Sequence, residues 1–331
     1  MLNEKRMLPG RTDPKPSFDP YSLAFLDQEF DPDVDRSRPH TFKTTCVIGL
    51  GGKGFNDIEH LRTRLPPSIR LLRIDHDAES ANGYGLWLVN KATGEEIRAE
   101  EPSETFADYM RQTSTLFLVG GLGGRVLAEY ALSLAMRGKA SEIPTFAAVS
   151  SPFCFEDKRF DLARQVGADL IKFTCGCLVQ PNDWLRSYFG GEAKLVDAFT
   201  SQRQWLTHTL LTLHYLSHTS QLPNAQNSQS TGHQMHMGFG RGTGKERLLD
   251  SMKAAHDSPL LTEMPFEACH HAVVVLASGE LPSTADAKHA EYICRRFLPQ
   301  DCNIEVKRLA DRRVSTDLYA TLLLFTQALD L

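Results

Sequence analysis

The residues that most constrain the fold are Val47 to Ile58, which read VIGLGGKGFNDI. An apolar, β-branched run leads into four glycines within eight positions, and a pattern that can open a helix follows. Such a glycine turn lets bare backbone approach a phosphate, and the amides and dipole at the helix N-terminus favour negative charge. We therefore expect a phosphate-binding turn here.

The same arrangement occurs a second time in the chain. The stretch TLFLVGGLGGR leads into the helical pattern VLAEYALSLAMRG and then into an apolar strand, PTFAAVSS. Apolar strands that alternate with amphipathic helices predict an α/β fold in which a parallel sheet carries helices on both faces. Because turns that follow parallel strands lie at the carboxyl edge of a sheet, the two glycine turns are expected to converge there.

Composition and periodicity divide the chain into five predicted parts. These are a flexible N-terminal arm at 1–44 with an aromatic patch at Tyr21–Phe30, a Rossmann-like nucleotide-binding domain at 45–191, a long central helix at 192–218, a polar loop at 219–237, and a smaller α/β domain at 238–331. Within the second part, Ala168–Val179 is rich in β-formers and predicts strand structure.

Charge and hydropathy limit the class of partner. The 331 residues carry a formal net charge of -5 and contain no polybasic block, which argues against nucleic acid as the main partner. No apolar run is long enough for a signal peptide core or a membrane span, so we expect a cytoplasmic protein without a direct membrane span. The seven scattered cysteines indicate reduced thiols, and no metal site is predicted.

The first glycine turn also satisfies the GxGxxG pattern of dinucleotide-binding proteins, with Asp75 about 20 residues further on. An NAD-type oxidoreductase is therefore an alternative, with His270, His271 or His289 as its acid or base. The stretch GFGRGTGKE has the wrong glycine spacing for a Walker loop, and we interpret it as a turn that joins two domains.

Several motifs in order make the chain resemble the tubulin/FtsZ superfamily, and more the bacterial FtsZ branch than eukaryotic tubulin. They extend over about residues 44 to 327, and they read VIGLGGKGFN, IDHDA, LFLVGGLGG, SPFCFE, VQPND, MGFGRGTGKER and DSPLL. The resemblance implies a GTP-binding domain, a central helix, and a C-terminal domain that completes the site of the next subunit in a filament.

The resemblance also implies roles for individual residues. Backbone and side chains around the phosphates would come from the two glycine turns, Glu156 would reach the ribose, Asn182 the base, and Phe199 would stack on the base. The implied pocket residues are Gly49, Gly51, Gly52, Gly54, Asn56, Gly120, Gly121, Gly123, Gly124, Arg125, Glu156, Asn182 and Phe199. The implied ligand is GTP or GDP, with Mg²⁺ as its companion ion.

The chain departs from the superfamily pattern at three places. Arg125 stands where the second glycine turn should continue with threonines, and it would either face phosphate or fill the site. The base-reading Asp of the central helix falls near Arg203 and Gln204, so guanine selectivity should weaken. Between Asp197 and Glu246 the chain has no Asp or Glu, so the carboxylates that activate water are missing.

Because His233 and His236 are expected to be solvated loop residues, no catalytic residue is assigned. The leading hypothesis is an FtsZ-like cytoskeletal protein that self-associates or co-assembles with another filament protein and hydrolyses GTP poorly or not at all. A nucleotide-free interaction protein on the same fold is a further possibility. Gly51→Val should exclude nucleotide and leave the fold intact, provided that the φ angle of Gly51 is negative.

Overall fold

The computed structural model describes residues 44–66, 68–77, 84–98, 109–189, 194–218, 232–311 and 316–327. Apart from Thr44, the predicted N-terminal arm lies outside the described residues, as does most of the predicted polar loop. None of the described helices is both long enough and apolar enough to cross a membrane.

The described residues form one mixed α/β structure, as predicted. Its strands are β1 Thr44–Leu50, β2 Ile69–His76, β3 Tyr84–Val89, β4 Glu96–Arg98, β5 Thr113–Gly121, β6 Thr145–Ser151, β7 Gly176–Pro181, β8 His233–Gly242, β9 Cys269–Ser278, β10 Asn303–Ala310 and β11 Leu318–Gln327. Its helices are α1 Gly51–Leu61, α2 Arg125–Ala140, α3 Asp157–Phe173, α4 Asn182–Phe189, α5 Leu195–His218, α6 Arg247–His256 and α7 Thr284–Cys294.

The strands make a single sheet in the order β10-β9-β11-β8-β7-β6-β5-β1-β2-β3-β4. Strands β2, β1, β5, β6, β7 and β8 pair in parallel, whereas β11 runs antiparallel between β8 and β9. The N-terminal half and the C-terminal half of the sheet therefore meet where β7 pairs with β8. This mostly parallel sheet with helices confirms the predicted fold class.

Side chains of the central strands point alternately to the two faces of the sheet, and an apolar layer covers each face. On β1, Val47 packs in the layer that contains residues of α1 and α5, whereas Cys46 and Ile48 pack in the layer that contains residues of α2 and α3. Successive side chains of a strand point to opposite faces, so a continuous apolar run is what a sheet covered on both sides requires. A third cluster joins α6 and α7 to the C-terminal strands.

The long helix α5 is bonded to both halves of the sheet. The Thr45 hydroxyl of β1 lies 2.8 Å from His214 Nδ1, and the Thr321 hydroxyl of β11 lies 2.9 Å from His208 Nε2. Burial lowers the pKa of His208 to about 3, so this side chain is neutral at physiological pH. The central helix thus couples the N-terminal and C-terminal halves through buried polar contacts.

Two sequence expectations about local structure are wrong. Residues 168–173 belong to α3 rather than to a strand, because the buried Val166, Leu170 and Ile171 follow the spacing of a helix face. The predicted polar loop ends earlier than residue 237, because β8 begins at His233, where it pairs with the last residue of β11.

The stretch GFGRGTGKE is also not simply a turn, because β8 continues through Gly242. Its glycines alternate along the strand, and α6 lies directly against them. A Cβ atom would lie 2.2 Å from the Ala255 carbonyl oxygen at Gly238 and 1.9 Å from the Ser251 carbonyl oxygen at Gly240. These glycines are therefore required for the close packing of a helix on a strand.

We predict that Gly240→Ala lowers the free energy of unfolding by about 2 kcal/mol or more, because overpacking a core forces backbone to shift. Gly52→Ala is the matched control, since a Cβ at Gly52 meets no atom within 4 Å. Urea denaturation followed by circular dichroism measures both variants. Equal stability of Gly240→Ala and the wild type would contradict the observed contact.

Candidate functional site

The two glycine turns lie side by side at the carboxyl edge of the sheet. Strands β1 and β5 pair in parallel, and their register places Leu50 opposite Gly120. A Cβ at Gly120 would lie 2.7 Å from the Leu50 carbonyl oxygen, so the two strand ends approach closely. Helices α1 and α2 start directly after these turns, at Gly51 and Arg125. The expected convergence of the turns is thus present.

Both helices start without a side-chain cap. Neither Leu50, which precedes α1, nor Gly124, which precedes α2, makes a side-chain capping hydrogen bond, and no acidic residue lies in either first turn. The first amides of a helix have no partner within the helix. Uncapped amides and two positive helix ends at one sheet edge make a site suited to an anion such as phosphate.

The glycines of the first turn differ in what they do. A Cβ at Gly49 would lie 2.6 Å from the Gly54 carbonyl oxygen, and a Cβ at Gly54 would lie 2.6 Å from the Gly49 carbonyl carbon. These two glycines therefore allow α1 to cross β1 closely. Gly52 is exposed and faces open space, so its backbone is accessible to a ligand. Asn56 is also exposed on α1.

Gly51 has a φ angle of +68°, in the left-handed region that favours glycine. The condition attached to Gly51→Val is therefore not met, because valine would strain the backbone there whether or not a ligand binds. Gly52, whose Cβ position is open, is the appropriate residue for a steric test of this turn.

The second turn is closed by its own backbone and by an arginine. The Gly124 N–H donates to the Gly121 carbonyl oxygen at 3.0 Å, and Arg159 Nε of α3 donates to the Gly123 carbonyl oxygen at 3.3 Å. Arg125 donates to Glu129 at 2.7 Å, and 75% of its side chain is exposed. The Arg125 side chain therefore does not fill the space between the turns.

Lys53, which sequence reasoning passed over, lies between the two turns. A Cβ at Gly121 would be 3.4 Å from Lys53 Cβ, and Lys53 Nζ pairs at 2.5 Å with the buried Asp57 carboxylate. Burial raises the pKa of Asp57, and the charges of Lys53 and Arg203 oppose that rise. Lys53 lies within GLGGKG, and Asp57 follows it four residues later. This i, i+4 spacing on a helix predicts the ion pair.

The Glu156 carboxylate is already engaged within its loop. Its Oε1 accepts the Phe153 N–H at 3.0 Å, and its Oε2 accepts Arg159 Nη1 at 2.5 Å. Because Arg159 also contacts Gly123, this carboxylate is connected to the second glycine turn. Arg159 was missed by the sequence reasoning; its position three residues after Glu156 on a helix was the available signal.

Asn182 and Phe199 lie on neighbouring helices next to this edge. Asn182 is the first residue of α4, after β7, and its Oδ1 accepts Gln202 Nε2 of α5 at 3.3 Å. Phe199 is half-buried and packs against the cluster of Leu185, Ala198 and Trp205. Phe199 thus has an apolar packing role, and its role in stacking on a base stays a prediction.

The expectation that His233 and His236 are solvated loop residues is wrong. Both lie in β8; His233 Nδ1 is 3.0 Å from His270 Nε2, and His236 Nε2 is 3.1 Å from the Thr326 hydroxyl. Burial lowers the pKa of His236 to about 4, so it is a neutral, structural side chain near pH 7.

The residues that an oxidoreductase would use lie in different parts of the fold. The Asp75 carboxylate accepts Arg73 at 3.1 Å and the His76 N–H at 2.8 Å, and it therefore has protein partners already. His270 and His271 lie on β9, in the C-terminal half of the sheet, and His289 is exposed on α7. Among the described residues no group of three or more His, Cys, Asp or Glu side chains is arranged to hold a metal ion.

We predict that Lys53→Met lowers the free energy of unfolding by about 3 kcal/mol near neutral pH, because it leaves the buried Asp57 carboxylate without its partner. The raised pKa of Asp57 means that the folded state holds this proton more tightly, so unfolding free energy falls as pH rises through the folded pKa. The loss should therefore be larger at about pH 7.5 than at about pH 5. Urea titrations at both values measure it.

The double variant Lys53→Met/Asp57→Asn is the control, since it removes the charge together with its partner. It should regain stability and lose the added pH dependence. A Lys53→Met variant that is equally destabilised at both pH values would contradict a buried ionised Asp57.

Comparisons with known proteins agree with this architecture. No protein-family model matches the chain. Over 299 residues the chain is 24% identical to the cell division protein FtsZ of Buchnera aphidicola subsp. Baizongia pistaciae, an alignment that covers 83% of this chain and 77% of that protein. FtsZ of Coxiella burnetii is also 24% identical, with 83% and 76% covered.

Solved structures show the same fold. An empty FtsZ dimer from M. jannaschii superimposes with a TM-score of 0.67 at 20% identity, covering 86% of this chain and 88% of that chain. GDP-bound CetZ1 from Haloferax volcanii gives 0.60 at 13% identity, with 87% and 95% covered. The chain is similar to FtsZ along most of its length and has the fold of FtsZ and CetZ, which is consistent with a divergent FtsZ/tubulin-like protein.

Proposed function

We propose that the chain is an FtsZ-like assembly protein of the cytoplasm that binds a guanine nucleotide between its two glycine turns and hydrolyses it poorly or not at all. The ligand is GTP or GDP, with Mg²⁺ bound alongside. The protein self-associates or co-assembles with another filament protein, and it serves a cell-division or other cytoskeletal process. The names of the relatives and the GDP-bound state of the CetZ1 structure support this proposal.

In this proposal three parts of the chain have the roles that the parts of a filament subunit have. Residues 45–191 bind nucleotide, 192–218 form the central helix, and 238–331 form the domain that contacts the nucleotide of the next subunit. The net charge of -5 disfavours nucleic acid as a partner.

The observation that carries the proposal is that α1 and α2 both begin without a side-chain cap, at the adjacent ends of β1 and β5. The open backbone at Gly52 and the start of α2 at Arg125 offer helix N-terminal amides from two directions. A single dinucleotide-type turn offers them from one direction only. The Asp75 contacts described above do not favour the oxidoreductase alternative.

Loss of hydrolysis follows from the charge pattern of the sequence. The stretch between Asp197 and Glu246 has no carboxylate, and a neutral amide cannot act as a general base. His236, the candidate replacement, is partly buried with a lowered pKa and is bonded to Thr326. Residues 219–231, which would follow the central helix towards the next subunit, lie outside the described residues.

Base selectivity should also differ from that of a guanine-specific protein. Arg203 lies in the segment where a carboxylate would accept the two N–H groups of guanine, and a cation cannot accept them. Removing a hydrogen-bonding partner for the base reduces discrimination between bases. GTP and ATP should therefore bind with more similar affinities than in a protein with the carboxylate.

A second candidate function, an interaction protein that binds no nucleotide, is favoured by a different observation. The Lys53 stem lies against Gly121, and both Glu156 oxygens already have partners within the chain. These contacts partly occupy the positions that a phosphate and a ribose would take. A ligand must then displace protein contacts in order to bind.

We predict that GTP and GDP bind the wild type and that Gly52→Ala weakens binding at least about tenfold, because a methyl group would occupy the open space over the amides. Gly167→Ala is the matched control, since Gly167 lies on α3 and a Cβ there makes only ordinary contacts. Isothermal titration calorimetry with GTP, GDP, ATP and NAD measures both variants. No heat with any of the four would favour the nucleotide-free function, and binding of NAD alone would favour the oxidoreductase.

We predict that GTP turnover per subunit does not rise with protein concentration, because the carboxylates needed at a shared site are missing. Phosphate release measured over a wide range of subunit concentrations, with Mg²⁺ present, tests this. A rate per subunit that increases with concentration would contradict the non-hydrolytic part of the proposal and leave nucleotide binding intact.

A further inference from the structure

A groove opens at the amino-terminal edge of the sheet, away from the glycine turns. Its volume is about 690 Å³. It is formed by the first residue of β1, the segment that follows α1, the start of β2, the end of β3 with the turn after it, and the strand β4. Its lining residues include Thr44, Leu65, Ile69, Leu71, Leu88, Val89 and Ile97. We call this the β2–β4 groove.

The apolar lining of the groove is open at one side. Ile97 is 54% exposed, although it pairs with Leu88 in the β3–β4 ladder. Strand β4 is the last strand in the sheet order, so its outer edge has no neighbouring strand among the described residues. An exposed apolar side chain on an edge strand is a surface that proteins usually cover.

The charged residues known to line the β2–β4 groove are basic. They are Arg62, Arg70 and Lys91, and none of the described lining residues is Asp or Glu. Arg62 pairs with Glu59 at 3.0 Å, but Arg70 forms no ion pair with any described residue. Arg70 donates to the Gln112 amide oxygen at 3.2 Å and lies over the Tyr109 ring, whereas its Nη1 is buried with no hydrogen-bond partner. Within the described part of the chain, the half-buried Arg70 guanidinium thus has no anionic acceptor.

The sequence of the N-terminal arm has the complementary chemistry. Residues 18–35 read FDPYSLAFLDQEFDPDVD, with six carboxylates and no Lys or Arg. Aromatic and aliphatic side chains alternate with these acidic residues, including Tyr21, Phe25, Leu26 and Phe30. The arm joins the described chain at Thr44, which itself lines the groove.

We propose that residues 18–35 of the same chain dock in the β2–β4 groove. The apolar side chains cover Ile97 and its neighbours, and the carboxylates lie against Arg70 and Lys91. The connecting residues 36–43 span up to roughly 27 Å when extended, which is ample for a segment tethered at the edge of the groove. A short tether keeps the local concentration of the segment in about the millimolar range, so docking within one chain is favoured over docking on a second copy.

Proteolysis of the full-length chain under native conditions tests the docking. Chymotrypsin cleaves after the aromatic residues of 18–35, and its rate follows the population of undocked segment. Ile97→Asp should accelerate this cleavage about tenfold by placing a carboxylate among carboxylates and removing the apolar contact. Leu281→Asp is the matched control, because Leu281 is also 54% exposed but lies before α7, outside the groove lining. Equal cleavage rates in the wild type and in Ile97→Asp would overturn the proposal.

A reciprocal test changes the segment and leaves the groove unaltered. Hydrogen exchange at the amides of β3 and β4 should be faster in Phe25→Ser/Phe30→Ser than in the wild type, and unchanged in Phe42→Ser, an aromatic substitution outside 18–35. Unchanged exchange in the double variant would overturn the proposal. Protection that increases with protein concentration would show that the segment docks on another copy, and it would overturn docking within one chain.

Discussion

The parallel pairing of β1 with β5 is the constraint on which the rest of the site depends. It sets two strand ends side by side, and each strand leads into an uncapped helix whose first amides point at the same edge of the sheet. Gly49 and Gly54 permit α1 to lie close enough on β1 for this arrangement, and Gly120 permits the two strand ends to meet. Larger residues at these positions would separate the turns and remove the cradle for an anion.

Much of this architecture could be predicted from the sequence, because the signals are local and periodic. The strand–turn–helix units at VIGLGGKGFNDI and TLFLVGGLGGR, the long helix α5, and the C-terminal strands all lie where apolar periodicity indicates. Helix and strand were confused where a short apolar run fits both, as at 168–173. The glycines of β8 were interpreted as a turn, because only the backbone of α6 against Gly238 and Gly240 shows why a strand needs glycine.

The site was less predictable than the fold, because its charges act through tertiary contacts. Arg203 opposes the effect of burial on Asp57 from a helix about 150 residues away in sequence, and no local pattern reports such a pair. Glu156 was expected to be available to a ribose, but Arg159 and the Phe153 N–H engage both of its oxygens. Composition near the two turns therefore shows which charges are present, whereas only the folded chain shows which of them are neutralised.

The cradle of backbone amides without the carboxylates for hydrolysis is the central claim. A crystal structure of the protein grown with GDP tests it most directly. The account predicts density for a diphosphate between the turns, with its oxygens within hydrogen-bonding distance of the backbone amide of Gly52 and of the first amides of α2. A nucleotide bound elsewhere on the chain, with the space between the turns filled by the Lys53 side chain, would contradict it.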